Sequence, residues 1–585
     1  MILAVIVLLQ AVTTQQVTAQ PLFVSITTDG NVEGTTTIHR NGNVYTFTSN
    51  LKETSIVIEA SNIVLDGAGF TLQGEIYKIN GDNVEIKNLK INSLATAIEI
   101  YGSGCKILEN EIQADRKGIR IRESNNNIIS GNKIDAKIEA GIAFETSSNN
   151  EVTENSITSS IIEGVSLTYS DYNTFSGNGI NFVSTYHSSY NTFAGNNLPQ
   201  GLNIRRSSNY NNITGNSIID FNQLTETSIT SSGSISLESC EGNLVSSNII
   251  VNSGGIFIDT SSNNVLRNNS VSGTGIGFEV SGSSEPSLSS FINDIDDSNT
   301  INGKKIYYLI DKNDLTINPS TYPNLGYLAL VNCTRMIVEN IHFNTQGILL
   351  AWTTDSLITN NNFSSNYGDS VILNYASNNN ITKNNIDANS GAGIRLTYST
   401  QNTVSGNSIT RNQMGIFLVY SADNNTITEN NIAHQDIGIN FRASSNNLIY
   451  HNNFVNNTKQ VYDAYWEARG QPFFYILPSK NIWDNDYPNG GNYWSNYVNE
   501  YPEAEELGNS GIWETPYIID ENNQDRYPLL NPFATAPGQV PKVPDAETPI
   551  TPTEDSFPTS LVLILTASTA IVGVGLLVYF KKRKR

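Results

Sequence analysis

A short asparagine motif recurs along most of this chain at steps of about 22 residues. It reads Asn, two mostly apolar or Thr residues, two variable residues, Asn, any residue, then Ile, Val, Leu or Phe, as in NTVSGNSI at 402–409. A fixed period of this length is typical of solenoid folds, in which one period is one structural unit. The second Asn marks the register at Asn110, Asn132, Asn155, Asn178, Asn196, Asn216, Asn248, Asn269, Asn340, Asn361, Asn384, Asn407, Asn430 and Asn452.

A second motif fills the rest of each period: Gly, apolar, any residue, apolar, as in GIRI at 118–121 and GIFL at 415–418. Apolar residues alternate with period two in these runs, which predicts short strands. Asn, Gly, Ser and Thr crowd every segment and disfavour helix. A single coil cannot bury its own apolar face, so the coils must stack. The pattern predicts an all-β fold, a parallel β-helix with about fourteen regular coils.

The register is broken in two places. The step from Asn216 to Asn248 is long enough for an inserted loop, and the step from Asn269 to Asn340 spans roughly three coils. Within the second gap, residues 298–329 have no Asn register. We interpret the interruption at about 272–335 as a distorted section of the solenoid or a small projection on its side.

The flanking segments predict the domain organisation. Residues 20–60 are expected to cap the first coil, residues 61–460 to form the β-helix, and the aromatic-rich residues 461–533 to form the C-terminal cap. Both ends of a stack need such covers, because open strand edges invite aggregation.

Both termini point to a membrane. Residues 1–19 resemble a secretion signal, although a basic start is missing. Residues 534–558, rich in Pro, Thr and acidic residues, predict an extended stalk. Residues 559–580 predict one transmembrane helix, and the basic residues 581–585 place the tail in the cytoplasm. The expected location is the cell membrane, single-pass, with the large N-terminal region outside.

The composition excludes some functions. With 33 Lys and Arg against 55 Asp and Glu, the net charge is −22, so no basic footprint for nucleic acid exists. The three cysteines, Cys105, Cys240 and Cys333, are far apart and predict buried residues rather than disulfides or a zinc site.

One candidate binding feature is a row of aromatic residues at equivalent positions of successive coils: Trp352, Tyr375, Tyr398 and Tyr420. Stacked above one another, they could form a platform on which sugar rings pack. The alternative is a corner stack that only stabilises the fold.

A second candidate is a set of charged residues at outward strand positions: Arg120, Arg122, Glu145, Arg205, Glu238, Asp259, Arg395 and Arg442. Polysaccharide cleavage needs an acid and a base that flank one bond. Glu145 and Arg122 lie on neighbouring coils, but a surface ion pair explains them equally well.

Metal and modification sites complete the candidates. The five His and three Met residues are too scattered to predict a copper site.

Calcium is the candidate cofactor, with oxygen ligands from Asp484, Asp486, Asp520, Asn522 and Asp525. The alternative is that these residues form ordinary polar turns. Glycosylation signals occur at Asn212, Asn268, Asn332, Asn362, Asn380, Asn424 and Asn456.

These coils, together with NIVLDGAGFTLQG at 62–74, INGKKIYYLIDKNDLTI at 301–317 and GGNYWSNY at 490–497, resemble the NosD-like β-helix family, and most closely its archaeal cell-surface members. The resemblance covers roughly residues 30–533. It implies a right-handed, pectin-lyase-like β-helix of the type shared by carbohydrate-binding proteins and sugar hydrolases. The copper role of the name-giving member does not carry over, because a matching His/Met cluster is missing.

We therefore expect a membrane-anchored extracellular protein that binds carbohydrate or a cell-envelope component without catalysis. A polysaccharide lyase or hydrolase and a copper-handling accessory protein are the alternatives.

Overall fold

The computed structural model describes residues 22–161, 163–219, 234–273, 277–282, 287–468 and 477–534. They form a parallel β-solenoid of about 18 turns with coils of about 22 residues. The predicted all-β solenoid is therefore confirmed, with more turns than the Asn register alone indicates. No helix in the described part of the chain has the length and apolarity to span a bilayer. The predicted signal, the transmembrane helix, the basic tail and all of the stalk except Ala534 lie outside the described residues.

The first solenoid segment has three faces, which we call A, C and B in chain order. Face A consists of Leu22–Ile26, Leu51–Ile58, Thr71–Ile79, Ile98–Ile100, Ile119–Arg122, Ile142–Glu145, Val165–Thr168, Val183–Tyr186, Gly201–Arg205, Ser234–Glu238, Gly255–Asp259 and Phe278–Ser281. Face C consists of Ile38–Asn41, Val44–Phe47, Val64–Asp66, Glu85–Lys87, Lys106–Leu108, Ile128–Ser130, Glu151–Thr153, Thr174–Ser176, Thr192–Ala194, Asn212–Thr214, Leu244–Ser246, Val265–Arg267 and Asp294–Ile295. Face B consists of Lys90–Ser93, Glu111–Ala114, Lys133–Ala136, Ser156–Ser159, Gly179–Ile180, Ser217–Ile219, Ile249–Val251, Ser270–Ser272 and Thr300–Ile301. Val32–Glu33 pairs antiparallel with the first strand.

The second segment repeats the order with faces A′, C′ and B′. Face A′ consists of Lys304–Ile310, Leu325–Val331, Ile348–Ala351, Val371–Asn374, Ala392–Thr397, Met414–Val419, Ile437–Arg442 and Lys459–Asp463. Face C′ consists of Thr316–Ile317, Ile337–Glu339, Leu357–Thr359, Asn380–Thr382, Thr403–Ser405, Thr426–Thr428 and Leu448–Tyr450. Face B′ consists of His342–Phe343, Asn362–Ser364, Asn385–Asp387, Ser408–Thr410, Asn431–Ala433, Asn453–Val455 and Tyr493–Trp494. The remaining elements are the antiparallel strands Tyr517–Ile518 and Gln524–Asp525, the helices Ala464–Ala468 and Tyr497–Glu500, and the 3₁₀ turn Leu288–Phe291.

The register explains the sequence pattern. Ile119 pairs with Ile142 and Ile142 with Val165, so apolar residues at one position form a buried column. The motif asparagines stack inside the corners. Within the stack, an Asn donates from its backbone N–H and its side-chain amide to the side-chain oxygen of the next Asn, as Asn384 does to Asn407 at 2.9 and 3.0 Å. The register therefore predicts the buried ladder correctly from Asn110 to Asn269 and from Asn361 to Asn452. It is wrong at Asn340, which is exposed, because the backbone N–H of the next residue, Ile341, donates to Asn361 instead.

The interruption is a junction between the two segments, not a side projection. An Asn302-Gly303 turn, with both residues at positive φ, reverses the chain between Thr300–Ile301 and Lys304–Ile310. The next strand, Leu325–Val331, is buried at all seven positions. Its alternate side chains belong to two separate cores, Tyr327 to the first segment and Leu328 to the second. The end of the first segment thus packs against the outer side of face A′.

Candidate functional site

An open groove of about 600 Å³ lies where the two segments meet. One wall is Phe278–Ser281, the last strand of face A, and the other is the outer side of face A′. The polar and aromatic lining consists of Glu279, Ser281, Tyr327, Gln346, Tyr367, Asp369, Asn374, Arg395, Thr397, Tyr398, Gln413 and Tyr420.

The buried side chain of Gln346 fixes the two walls to each other. The backbone N–H of Phe278 donates to its Oε1 at 3.0 Å, and its Nε2 donates to the Phe278 carbonyl. The side-chain amide of Gln346 therefore takes the place of a neighbouring strand for the last strand of face A. Phe278 also packs edge-on against Tyr327, with ring centroids 5.3 Å apart. Strands therefore form the two walls of the groove, and loop residues such as Tyr367 and Asp369 complete its lining.

Three charged side chains meet in the groove. Asp369 accepts from the Arg395 guanidinium at 2.6 Å and from the backbone N–H of Ala392 at 2.6 Å. Burial raises the pKa of Glu279 above its ordinary range. Arg395 opposes this shift, while the charges of Asp369 and Asp259 add to it. The groove thus holds a paired carboxylate beside a carboxyl group that keeps its proton to higher pH.

The predicted aromatic row is present and borders the groove. The ring centroids of Trp352, Tyr375, Tyr398 and Tyr420 are 4.6, 4.8 and 5.6 Å apart in sequence order, with nearly parallel planes. Each ring therefore covers the face of the next. Phe291 packs on Trp352 at one end, and Arg442 lies over the Tyr420 ring at the other.

The row consequently offers ring edges and hydroxyl groups, because its ring faces are covered. Tyr398 and Tyr420 are 38% and 37% exposed, and among the described residues their hydroxyl groups have no hydrogen-bond partner. A sugar contact at this row stays a prediction, and its expected mode changes from face stacking to hydrogen bonding at ring edges.

Six buried polar atoms without a partner lie on the outer sides of faces A and A′, and others are distributed over the rest of the described residues. Such atoms are rare in folded proteins because an unsatisfied polar group costs about 1–3 kcal/mol, unless water or a ligand supplies the missing partner. Two of them, Arg395 Nε and Asn374 Oδ1, belong to residues that line the groove. The others on these faces are Asn203 Oδ1, Arg205 Nε, Asn440 Oδ1 and Arg442 Nε.

The outward charges predicted from the sequence do not meet at one site: one lines the groove, three form a surface network, and the other four lie elsewhere on faces A and A′. Arg120 forms a double hydrogen bond with Glu145, at 2.9 and 2.8 Å, and Arg122 lies 3.8 Å from the same carboxylate. Of the predicted set, only Arg395 lines the groove. Sequence reasoning missed Glu279 and Asp369, because they belong to different segments and only the junction brings them together.

The residues predicted for calcium have protein partners. The Arg526 guanidinium binds Asp484 at 2.6 Å and Asp486 at 2.5 Å, so it fills the place of a cation. Asp520 accepts from the Asn523 amide and from the backbone N–H of Asn522. Asp525 is buried beneath Gly491, and its carboxylate accepts hydrogen bonds from three protein N–H groups. Within the described ranges, no three acidic, His or Cys side chains converge as a metal site. Calcium binding stays a prediction.

The glycosylation signals lie on the solenoid surface with two exceptions. Asn212 and Asn362 are half-buried in strands. The exposed ones are Asn268, Asn332, Asn380, Asn424 and Asn456. Their modification stays a prediction.

Comparison with known proteins gives one family match. The model of the family described as "Periplasmic copper-binding protein (NosD)" matches residues 47–226 and 291–499. No curated protein matches the chain.

The similar solved structures are distant. A DFA-IIIase from Arthrobacter chlorophenolicus A6 in complex with GF2 is 16% identical, with 45% of this chain and 71% of that chain covered and a TM-score of 0.26. The periplasmic alginate epimerase AlgG is 8% identical, with 73% and 78% covered and a TM-score of 0.17. The alginate lyase AlyF-OU02 with G6 is 14% identical, with 59% and 77% covered and a TM-score of 0.24.

Within the part of the chain that the structure describes, the His and Cys side chains do not fit the copper of that family description. All three thiols are buried, and burial raises the pKa of Cys105 to about 11 and that of Cys240 to about 12, which disfavours the metal-binding thiolate. His434 and His451, which the sequence places on neighbouring coils, occupy different corners. The His434 backbone pairs with Val455, whereas the His451 ring stacks on Phe533.

Proposed function

This chain belongs to the NosD family, and we propose that it binds a carbohydrate chain in the junction groove. One observation carries the proposal: an open groove that combines tyrosine edges with buried polar atoms that lack a protein partner. Sugar hydroxyl groups both donate and accept hydrogen bonds, so they suit a lining that has both donor and acceptor side chains, such as Arg395 and Asn374. The ring edges of Tyr398 and Tyr420 add apolar area and two hydroxyl groups.

The charges of the groove favour a neutral glycan. The carboxyl groups of Glu279 and Asp369 face a single guanidinium, that of Arg395, which Asp369 already pairs. A polyuronate would bring further negative charge to this place, and like charges in contact oppose binding. We therefore propose a neutral polysaccharide, such as a glycan of the cell envelope, as the ligand.

The place of action that we propose is the outer surface of a membrane, as in the archaeal cell-surface relatives that the sequence resembles. It rests on the predicted signal at 1–19, stalk at 534–558 and span at 559–580. Protease treatment of intact cells tests it: the solenoid should be digested from outside while the anchor remains in the membrane fraction.

Binding should depend on the two exposed hydroxyl groups of the aromatic row. Tyr398→Phe/Tyr420→Phe keeps both rings and their stack but removes two hydrogen-bonding groups, so we expect binding of neutral oligosaccharides about ten-fold weaker. The measurement is a glycan array followed by calorimetry, with the full-length chain in a detergent without a sugar head group.

The matched control is Tyr77→Phe/Tyr487→Phe, the same change at two tyrosines that are exposed and do not line the groove. It should bind like the wild type. Equal affinity in both double variants, or preference for polyuronates over neutral glycans, would contradict the proposal.

A second function, hydrolysis of the bound chain, is favoured by the state of Glu279. A carboxyl group with a raised pKa beside a second carboxylate is the arrangement that protonates a glycosidic oxygen while the other carboxylate assists water. Hydrolysis would release new reducing ends from the bound glycan, and Glu279→Gln would stop the release but retain binding. If the wild type and Glu279→Gln both bind a glycan and neither releases reducing ends from it, the protein binds the glycan without hydrolysing it.

A further inference from the structure

A cluster of tyrosines lies on the first segment, at the corner between faces A and C; four of them are exposed and the fifth is half-buried. We call it the tyrosine patch: Tyr169, Tyr172, Tyr186, Tyr190 and Tyr210. Tyr172, Tyr190 and Tyr210 stack with ring centroids 4.9 and 5.2 Å apart. Tyr169 stacks on His187 at 5.0 Å and meets Tyr186 edge-on at 6.2 Å.

The patch is open to a ligand. Tyr169 and Tyr172 are 57% and 56% exposed and are the first rings of their stacks. The preceding coil has the short residues Thr146 and Asn149 at the same positive-φ positions. No aromatic ring therefore stacks on one face of Tyr169 or on one face of Tyr172. In the row beside the groove, by contrast, the ring faces are covered. Exposed tyrosines in one cluster are typical of binding surfaces, because the ring is apolar and the hydroxyl group is polar.

Two outward columns of face A connect the patch with the groove. Strand pairing aligns Ser184, Asn203, Ser236, Phe257 and Glu279 in one column. The neighbouring column is Tyr186, Arg205, Glu238, Asp259 and Ser281. The first column starts beside the patch and ends at Glu279 in the groove wall. We call these two columns the tract.

The side chains and the length of the tract both suit a bound sugar chain. Its first column has mostly small polar side chains and one half-buried aromatic ring, Phe257. Asn203 Oδ1 and Arg205 Nε are buried without a partner in its middle. Four coil steps separate Ser184 from Glu279, roughly 19 Å at the usual strand spacing. One hexopyranose unit is about as long as one coil step, so the tract matches about four sugar units.

We infer that the tyrosine patch and the tract extend the groove into one elongated surface, so that the ligand is a polymer held about four sugar units beyond the groove. The inference rests on carbohydrate binding in the groove. Short oligosaccharides fill the groove alone, whereas longer ones also reach Tyr186 and Tyr169. The affinity for an oligosaccharide must then rise with its number of sugar units until it reaches the tyrosine patch.

The test is a length series of the best neutral glycan, from about three to about ten units, measured by calorimetry on the full-length chain. The wild type should bind the longest chain at least ten-fold more tightly than the tetramer. Tyr169→Ala/Tyr186→Ala should lose this gain and keep the tetramer affinity. Ser236→Trp, which places a bulky ring in the middle of the tract, should do the same while the patch stays intact.

The control Tyr77→Ala/Tyr487→Ala should keep the gain, and thermal melting should show that all variants are folded. If the tetramer binds and either Tyr169→Ala/Tyr186→Ala or Ser236→Trp retains the full gain in affinity, the elongated surface is wrong. Carbohydrate binding in the groove is then still supported. If the wild type binds no neutral tetramer, the proposed function itself fails and the inference fails with it.

Discussion

Asn384→Ala is expected to lower the free energy of unfolding of the second segment by about 4 kcal/mol. Asn384 is fully buried. Its Oδ1 accepts from the backbone and side-chain N–H groups of Asn361 at 3.0 and 3.1 Å, and its Nδ2 donates to the Ile358 carbonyl at 2.8 Å. Alanine leaves all these groups buried without a partner, and each costs about 1–3 kcal/mol.

The adjacent residue provides the matched control. Asn385 has the same side chain on the outer side of the strand, where it is exposed and donates to Asn362 Oδ1 at 2.9 Å. Asn385→Ala should change stability by less than about 1 kcal/mol, because water replaces the lost partner. Urea unfolding followed by circular dichroism measures both variants. Equal midpoints would show that the ladder contributes no more than a surface amide.

The ladder is also the part of the fold that the sequence predicts best. Asn384 and Asn407 are one repeat apart, so a period read along the chain is a contact in space. The same reasoning placed Tyr375 beside Tyr398. It could not show that stacking covers the ring faces, because ring orientation depends on the backbone at each corner, where these tyrosines have positive φ.

The groove could not be predicted from the repeat period, because the residues that line it are not related by that period. Glu279 and Arg395 meet only because the Asn302-Gly303 turn ends the first segment against face A′. The Asn-Gly pair between alternating strands is a hairpin signal that the sequence contains. Even so, the signal predicts a reversal of the chain and not the surface on which the next coils pack. The sequence therefore predicts the repeating coils, and tertiary packing creates the candidate site.

In the C-terminal cap, too, the sequence predicts the segment but not the contacts of one important residue, Asp525. The sequence predicts an aromatic cap and oxygen ligands for calcium, whereas Asp525 ends the asparagine ladder. Its carboxylate accepts from the Asn492 backbone at 2.7 Å, the Trp494 indole at 2.9 Å and the Tyr527 backbone at 3.1 Å. The last donors of the ladder thus find an acceptor inside the protein, and no further coil is needed.

Ending the ladder on a buried carboxyl group should make the cap less stable as pH rises. Burial raises the pKa of Asp525 from 3.8 to about 7. Between these values the unfolded chain has lost the proton that the folded cap retains, so deprotonation favours unfolding. The stabilising effect of the protonated group is complete below about pH 4 and is lost by about pH 7, a total of about 4 kcal/mol.

Asp525→Asn replaces the carboxyl group with an amide of the same shape that carries no charge at any pH. We expect urea unfolding of the wild type, followed by tryptophan fluorescence, to show stability falling between pH 4 and pH 7 relative to this variant. Trp494 reports on the cap because its indole contacts Asp525 directly. Asp436→Asn, a change at an exposed carboxyl group, should keep the wild-type slope. A difference between wild type and Asp525→Asn that is constant over this range would mean that Asp525 is ionised throughout, stabilised by its three donors in spite of its burial.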